Sequence, residues 1–438
     1  MAASILASAQ DALYALVGSC CKTDTTLKLN GRSFKILKLL GEGGFSYVYL
    51  AQDQASKRLF ALKKIRCPAG DGGESVKVAL KEVEAYKRFR HENIIRCLDS
   101  CVVQDREGDG KIIYLFLPYY KNATVQHVIT SHLVNGTHYP ESQILEIFKG
   151  TCRAVKAMHQ HSASNAPNLS VPSMTTGTNR NNGKGKSVAK GKRKASDYPP
   201  ELSSEDLDDE HDDREDAVFR TADDDDDDDG AGQEEREGQS LIGGLEATRQ
   251  RLEEEVDTTL DDQLSATAND RARGGIVPWA HRDIKPANIM ISDDGRTPIL
   301  MDFGSALPAR IEVPDRRIAL LQQDLAAEHC SMPFRAPELF DVKTGVTLDE
   351  KVDIWSLGCT LYAMAYSTSP FETTQESSHG GSIAMAVLNG KYSFPAHEGN
   401  YSTGFKTLVE QCLQVKPQDR PDIDQVLELT EAALARLQ

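Results

Sequence analysis

The sequence predicts an α+β protein carrying a disordered insertion, and three observations predict it. Residues 34–117 read as short strands around a glycine-rich turn, with one charged helix at about 74–90. Residues 123–160 and 278–436 are helix-rich, with apolar side chains at a 3.6-residue period in Ile144–Met158 and Val426–Leu437. Between them, residues 161–277 are polar and charged, too poor in apolar surface to offset the entropy of ordering. The expected organisation is an N-terminal segment (1–30), a strand-rich part (34–122), a first helical part (123–160), the insertion (161–277) and the remaining helical part (278–436).

The insertion opens with Ser, Asn, Thr and Gly, and passes through the basic run Lys184–Lys194. It then turns acidic, with seven consecutive aspartates, Asp223–Asp229. It holds 29 of the 66 acidic and 14 of the 50 basic residues, so the net charge of −16 lies almost wholly within it. The remainder is near neutral, and neither part supports nucleic-acid binding. The basic run reads as a solvated stretch facing the acidic tract, or alternatively as a nuclear localisation signal. Within Leu241–Leu264, Leu245, Leu252, Val256 and Leu260 share a face if helical, but a lone helix of that length is marginal. Both ends of the insertion are expected at the far end of the helical part. Nine cysteines without a CxxC pair argue for a reducing compartment, against a disulfide framework or a structural zinc site. No apolar run approaches the roughly 20 residues that span a bilayer, and residues 1–30 lack a secretory or transit signal. The expectation is a cytosol-facing protein.

The chemistry is carried by four motifs. Gly41-Glu42-Gly43-Gly44-Phe45-Ser46-Tyr47-Val48 follows the apolar stretch Phe34–Leu40, and such glycines let backbone N–H groups approach a phosphate chain. A glycine-rich hairpin also serves structure alone. Lys63 lies fifteen residues beyond Val48 on the apolar stretch Phe60–Lys63, where an ammonium is costly unless it meets anions. Phosphate oxygens and the Glu82 carboxylate, on the charged helix, are the candidates. The decisive stretch is His281-Arg282-Asp283-Ile284-Lys285-Pro286-Ala287-Asn288, followed by Asp302-Phe303-Gly304. Phosphoryl transfer needs chiefly positioning and charge neutralisation. Asp283 suits the proton of a substrate hydroxyl, Lys285 the γ-phosphate, and Asn288 with Asp302 the oxygen ligation of Mg²⁺.

With these motifs in this order the chain resembles the eukaryotic protein kinases, over residues 34–436 without the insertion. The resemblance implies a two-lobed fold, a five-stranded N-lobe sheet with one major helix, and Mg-ATP between the lobes. It implies nucleotide contacts from Leu40, Gly41, Glu42, Gly43, Gly44, Phe45, Ser46, Tyr47, Val48, Lys63, Leu117, Tyr119, Asn288 and Asp302. Leu117 falls at the gatekeeper position and Pro118–Tyr120 at the hinge. The catalytic set is Asp283, Lys285, Lys63 and Glu82. Ala336-Pro337-Glu338 closes the activation segment, Glu338 pairs with Arg420, and Asp353 holds the catalytic-loop backbone. Ser46 departs from the pattern, standing where a third glycine is expected. Lys285 and Ser331 resemble the serine/threonine pattern, so the substrates are proteins with Ser or Thr acceptors. All four key polar residues are present, which argues against a pseudokinase scaffold.

The glycine loop and the segment from Ile318 to Ser331 look like those of the Numb-associated kinases, where that segment forms an extra helix. Within them the chain is similar to the branch of the myristoylated and palmitoylated serine/threonine kinase, at Golgi and vacuolar membranes. Position 2 is Ala, not the Gly that myristoylation needs. Ile5, Leu6, Ala9, Ala12, Leu13, Leu16 and Val17 fall in one helical arc, just before Cys20 and Cys21. The expectation is an interfacial helix with both cysteines acylated, holding the kinase on the cytoplasmic face of Golgi or vacuole membranes alongside a cytosolic pool. A small helix packed on the kinase lobe is the alternative. An adaptor role through the insertion and N-terminus is compatible with catalysis.

Overall fold

The computed structural model describes residues 26–162 and 275–437, apart from 44–45, 71, 106–107, 109, 373–381 and 396–400. The expected N-terminal helix, Cys20, Cys21, Gly44, Phe45 and nearly all of the insertion therefore lie outside the described residues.

The N-lobe is an antiparallel sheet of six strands: β1 (Thr26–Leu29), β2 (Arg32–Gly43), β3 (Ser46–Asp53), β4 (Leu59–Cys67), β5 (Asp99–Gln104) and β6 (Lys111–Pro118). Their spatial order is β1-β2-β3-β4-β6-β5. Five strands and a start at residue 34 were expected, and both expectations need correction. The extra strand comes from the segment assigned to the membrane anchor. Asn30 and Gly31 both take positive φ (48° and 74°), the backbone of a type I′ hairpin turn, which sets Leu27 opposite Phe34. Leu29 is buried there with Phe34, Phe60, Leu62 and Phe116. The Phe34 and Phe116 ring centroids lie 4.9 Å apart.

Helix α1 (Glu74–Arg88) buries Ala79, Val83, Ala85 and Tyr86. Glu74 in its first turn and Lys87 and Arg88 in its last complement the helix dipole.

The C-lobe begins with α2 (Val125–Val134), whose first turn is capped by the Thr124 side chain accepting from the His127 N–H, and α3 (Glu141–His159). Short antiparallel strand pairs follow: β7 (Trp279–Ala280) with β10 (Leu307–Pro308), β8 (Ile289–Ile291) with β9 (Pro298–Leu300), and β11 (Ile311–Val313) with β12 (Val346–Leu348). Helix α4 (Arg316–His329) stands between β11 and β12, in the place of the extra helix expected after Ile318. Helix α5 (Lys351–Tyr366) is buried on every face from Val352 onward, so it forms the centre of the lobe. Helices α6 (Ile383–Asn389), α7 (Thr403–Cys412) and α8 (Ile423–Ala435) complete the lobe, α8 packing on α3 and α7 on α5. The lobes are joined by backbone bonds, Leu300 N–H to the Asn93 carbonyl at 2.8 Å and Ile95 N–H to the Leu300 carbonyl at 2.9 Å.

The insertion leaves and re-enters at one point. Ser162 and Ile276 form an antiparallel bridge, and the Val277 N–H donates to the His161 carbonyl at 2.8 Å. This point is not at the far end of the C-lobe, as the sequence suggested. The rings of His161 and Trp279 lie 5.3 and 5.9 Å from that of Phe89, the residue that ends α1. The physical reason is the direction of α3, which carries its C-terminal end up to the N-lobe helix.

Candidate active site

The glycine turn joins β2 to β3 because Gly41, Glu42 and Gly43 pair with Val48, Tyr47 and Ser46. Ser46, in place of the third glycine, opens β3; a Cβ added to Gly43 would lie 3.2 Å from its Oγ. Leu40 is exposed at this edge, and Lys63 sits one strand further in, opposite Val48 on one side and Leu115 on the other. Leu117 is buried opposite Ala61, with Tyr119 two residues beyond it.

The ammonium of Lys63 is 2.6 Å from Glu82 Oε1 and 3.1 Å from Asp302 Oδ1, so the structure brings together residues 239 positions apart. Burial works against the charged lysine, but Tyr86, Glu82 and Asp302 outweigh it and hold its pKa well above the ordinary value. Burial likewise raises Asp302, yet Lys63 pulls its carboxyl below the usual range, so it is an anion at neutral pH. Its side chain remains 44% exposed, open to the cleft, whereas Lys63 and Glu82 are nearly covered. Asp302 and Arg282 both take positive φ (66° and 67°), a costly conformation for residues with a Cβ.

The catalytic loop is held from beneath. Asp353 of α5, wholly buried, accepts from the His281 and Arg282 backbone N–H groups, each at 2.8 Å, and its Oδ2 lies 3.0 Å from His159 Nε2. Burial raises the Asp353 pKa, but the His159 contact, the nearby His281 and the Arg282 amide bring it below the ordinary carboxylate value. His281 Nδ1 accepts from the Asp283 N–H, leaving Nε2 to donate to the Met301 carbonyl at 3.1 Å. The Asp283 carboxylate is gripped on both oxygens. Oδ1 accepts from the Ser331 N–H at 2.9 Å, and Oδ2 from Lys285 Nζ at 2.8 Å and Asn288 Nδ2 at 3.0 Å. Lys285 also donates to Ser331 Oγ at 2.7 Å.

Asn288 closes a single helical turn, Pro286–Asn288, and commits Nδ2 to Asp283, which leaves Oδ1 for a cation. Asp302 gives one oxygen to Lys63 and keeps the other. Two hard oxygen donors from the protein, with waters and phosphates completing the shell, fit Mg²⁺. A groove of about 710 Å³ beside α3 and the β8–β9 turn contains none of these residues.

Sequence reasoning missed three contributors. Tyr86, one helical turn after Glu82, packs edge-on against Phe303 at 5.1 Å, and His281 lies 5.3 Å from the same ring, building an aromatic column between the lobes. His159 was visible only as the end of an apolar helix. Gln322 was a polar residue in an otherwise apolar periodic stretch, a signal the spacing did carry.

The protein kinase domain family matches residues 34–164 and 277–430, on both sides of the insertion. The chain belongs to that family, and it is a serine/threonine kinase. It is similar to serine/threonine-protein kinase ENV7 of Saccharomyces cerevisiae, at 33% identity covering 94% of this chain and 95% of that one. Serine/threonine-protein kinase ppk13 of Schizosaccharomyces pombe is 31% identical over 91% of this chain and 90% of its own. Human serine/threonine-protein kinase 16 is 27% identical, with 94% of each chain covered. The resemblance to the Numb-associated kinases stands with these relatives and with actin-regulating kinase 1 of Saccharomyces cerevisiae, 38% identical over 152 residues.

Proposed function

We propose that this kinase moves the γ-phosphoryl group of ATP to protein Ser and Thr hydroxyls with Mg²⁺, at the cytoplasmic face of Golgi or vacuolar membranes, in membrane trafficking or vacuole regulation. The observation that carries the catalytic reading is the grip on Asp283, whose two oxygens are fixed by Ser331, Lys285 and Asn288. So fixed, the carboxylate orients the acceptor hydroxyl and takes its proton, while Lys285 balances charge on the γ-phosphoryl group. Lys63, itself set by Glu82, holds the α- and β-phosphates under the glycine turn. Mg²⁺, when bound, neutralises the phosphate oxygens, and Asn288 Oδ1 and Asp302 are the residues to hold it. Transfer of labelled phosphate to a peptide library, wild type against Asp283→Asn, tests this. Loss of several orders of magnitude is expected, and retained transfer would overturn the role of Asp283.

The location rests on the apolar arc of residues 1–18, on the adjacent Cys20 and Cys21, and on the family branch. Among the described residues no helix is long and apolar enough to cross a membrane. A single acyl chain, at about 0.8 kcal/mol per buried CH₂, anchors only marginally, so both cysteines, or one with the helix, are needed. Replacing both with Ser should move the kinase to the soluble fraction; an unchanged membrane fraction counts against the anchor.

A further inference from the structure

Helix α4 presents Ile318, Ala319, Leu321 and Ala326 to the interior, and among them one polar residue, Gln322, only 2% exposed. Its Oε1 accepts from Arg282 Nη1 at 3.2 Å. Arg282 is itself buried, held in a left-handed conformation directly before Asp283. Among the described residues no carboxylate forms an ion pair with its guanidinium. Kinase activation segments are commonly ordered by a phosphate that pairs with arginine. Here the arginine meets a neutral amide instead.

The segment between Asp302 and Glu338 also lacks a suitable acceptor. It holds two hydroxyl side chains, Ser305 and Ser331, and no Thr or Tyr. The Ser305 hydroxyl donates to the His329 carbonyl at the end of α4, at 2.6 Å. A phosphate there loses that donor and faces the negative end of the helix. The Ser331 hydroxyl accepts from Lys285, and a phosphate there sets new negative charge beside Asp283.

We propose that Gln322 is a positioning residue for phosphoryl transfer: its amide holds Arg282, and through it Asp283, so that the kinase is competent without phosphorylation of its activation segment. This rests on the reading of Asp283 given above. The experiment uses the full chain, treated with phosphatase and checked by mass spectrometry, as wild type, Gln322→Met and Gln322→Glu. Dephosphorylated wild type keeps its kcat for peptide within about twofold. Gln322→Met, close in volume but without the acceptor oxygen, loses about tenfold in kcat, as expected for one hydrogen bond to a charged group, with KM for ATP little changed. Gln322→Glu recovers kcat because its carboxylate pairs with Arg282. A merely structural role predicts the opposite order, since Glu is the costlier residue to bury in an apolar face. Loss of wild-type transfer on dephosphorylation, an unaffected Gln322→Met, or a Gln322→Glu no better than Gln322→Met overturns the proposal. Failure of the Asp283 reading shows separately, as transfer retained by Asp283→Asn.

Discussion

Replacing Arg420 should lower the melting temperature of this kinase by roughly 10 °C. Its side chain is fully buried, and each of its five N–H donors has a partner. Nη1 and Nη2 form a two-pronged pair with Glu338, both at 2.7 Å. The remaining donors reach the carbonyls of Gln414 at 2.7 Å, Lys351 at 2.8 Å and Val415 at 3.1 Å. The guanidinium also lies over the Trp355 ring, 5.1 Å from its centroid. Arg420→Met leaves Glu338, only 15% exposed, without its counter-charge, and leaves three carbonyls to find new donors. Breaking a buried ion pair from one side costs about 3–5 kcal/mol, a large share of the roughly 5–15 kcal/mol that holds a domain folded. At about 2–4 °C per kcal/mol, the melting temperature falls by roughly 10 °C. Thermal denaturation of the purified proteins measures it, with Glu338→Gln added in a second variant. The double variant should be more stable than Arg420→Met, because the stranded charge is gone. A fall under about 2 °C, or a double variant that is worse, would refute the assignment of this pair as the anchor of the activation segment.

Lys63→Met should lower transfer by orders of magnitude with the fold retained, since the phosphate clamp is lost while the apolar stem is kept; near-normal autophosphorylation of the purified variant would contradict this. Replacing residues 165–274 with a short Gly/Ser linker should leave melting temperature and basal peptide phosphorylation nearly unchanged. The bridge between Ser162 and Ile276 already joins the two ends, and loop closure costs only about 0.6 kcal/mol per doubling of length. A collapse of either property would show that the insertion packs on the kinase. Asp353 has a folded pKa below its ordinary 3.8, so its stabilisation is complete above that value and is lost as pH falls through the folded one. Urea midpoints measured as the pH is lowered from about 4 should therefore fall more steeply for wild type than for Asp353→Asn, and equal slopes would remove Asp353 from the account.

What could be read from the sequence was whatever lies close together along the chain. The span from His281 to Asn288 is one loop whose side chains meet each other locally, so its spacing alone stated its chemistry. The helices at Glu74–Arg88, Glu141–His159 and Ile423–Ala435 were legible because burial imposes a 3.6-residue period on them. The strand Thr26–Leu29 has its signal in Asn30-Gly31, a turn pair that needs positive φ at both positions and so marks a hairpin, but four residues beside an apolar N-terminal arc are too short to show a strand by alternation alone.

The sequence by itself determined the class of fold, the phosphate-handling motifs and the identity of the acceptor group, because each depends on short-range spacing and residue chemistry. Only the tertiary structure decided the rest. It closed Lys63 on Asp302, seated His281 and Arg282 on Asp353, turned Gln322 toward Arg282, and brought the two ends of the insertion together beside Phe89. Those contacts join residues 40 to 239 positions apart. Their pairing is set by how helices and strands pack around a common interior, and no local pattern encodes which distant partner a buried charge will meet.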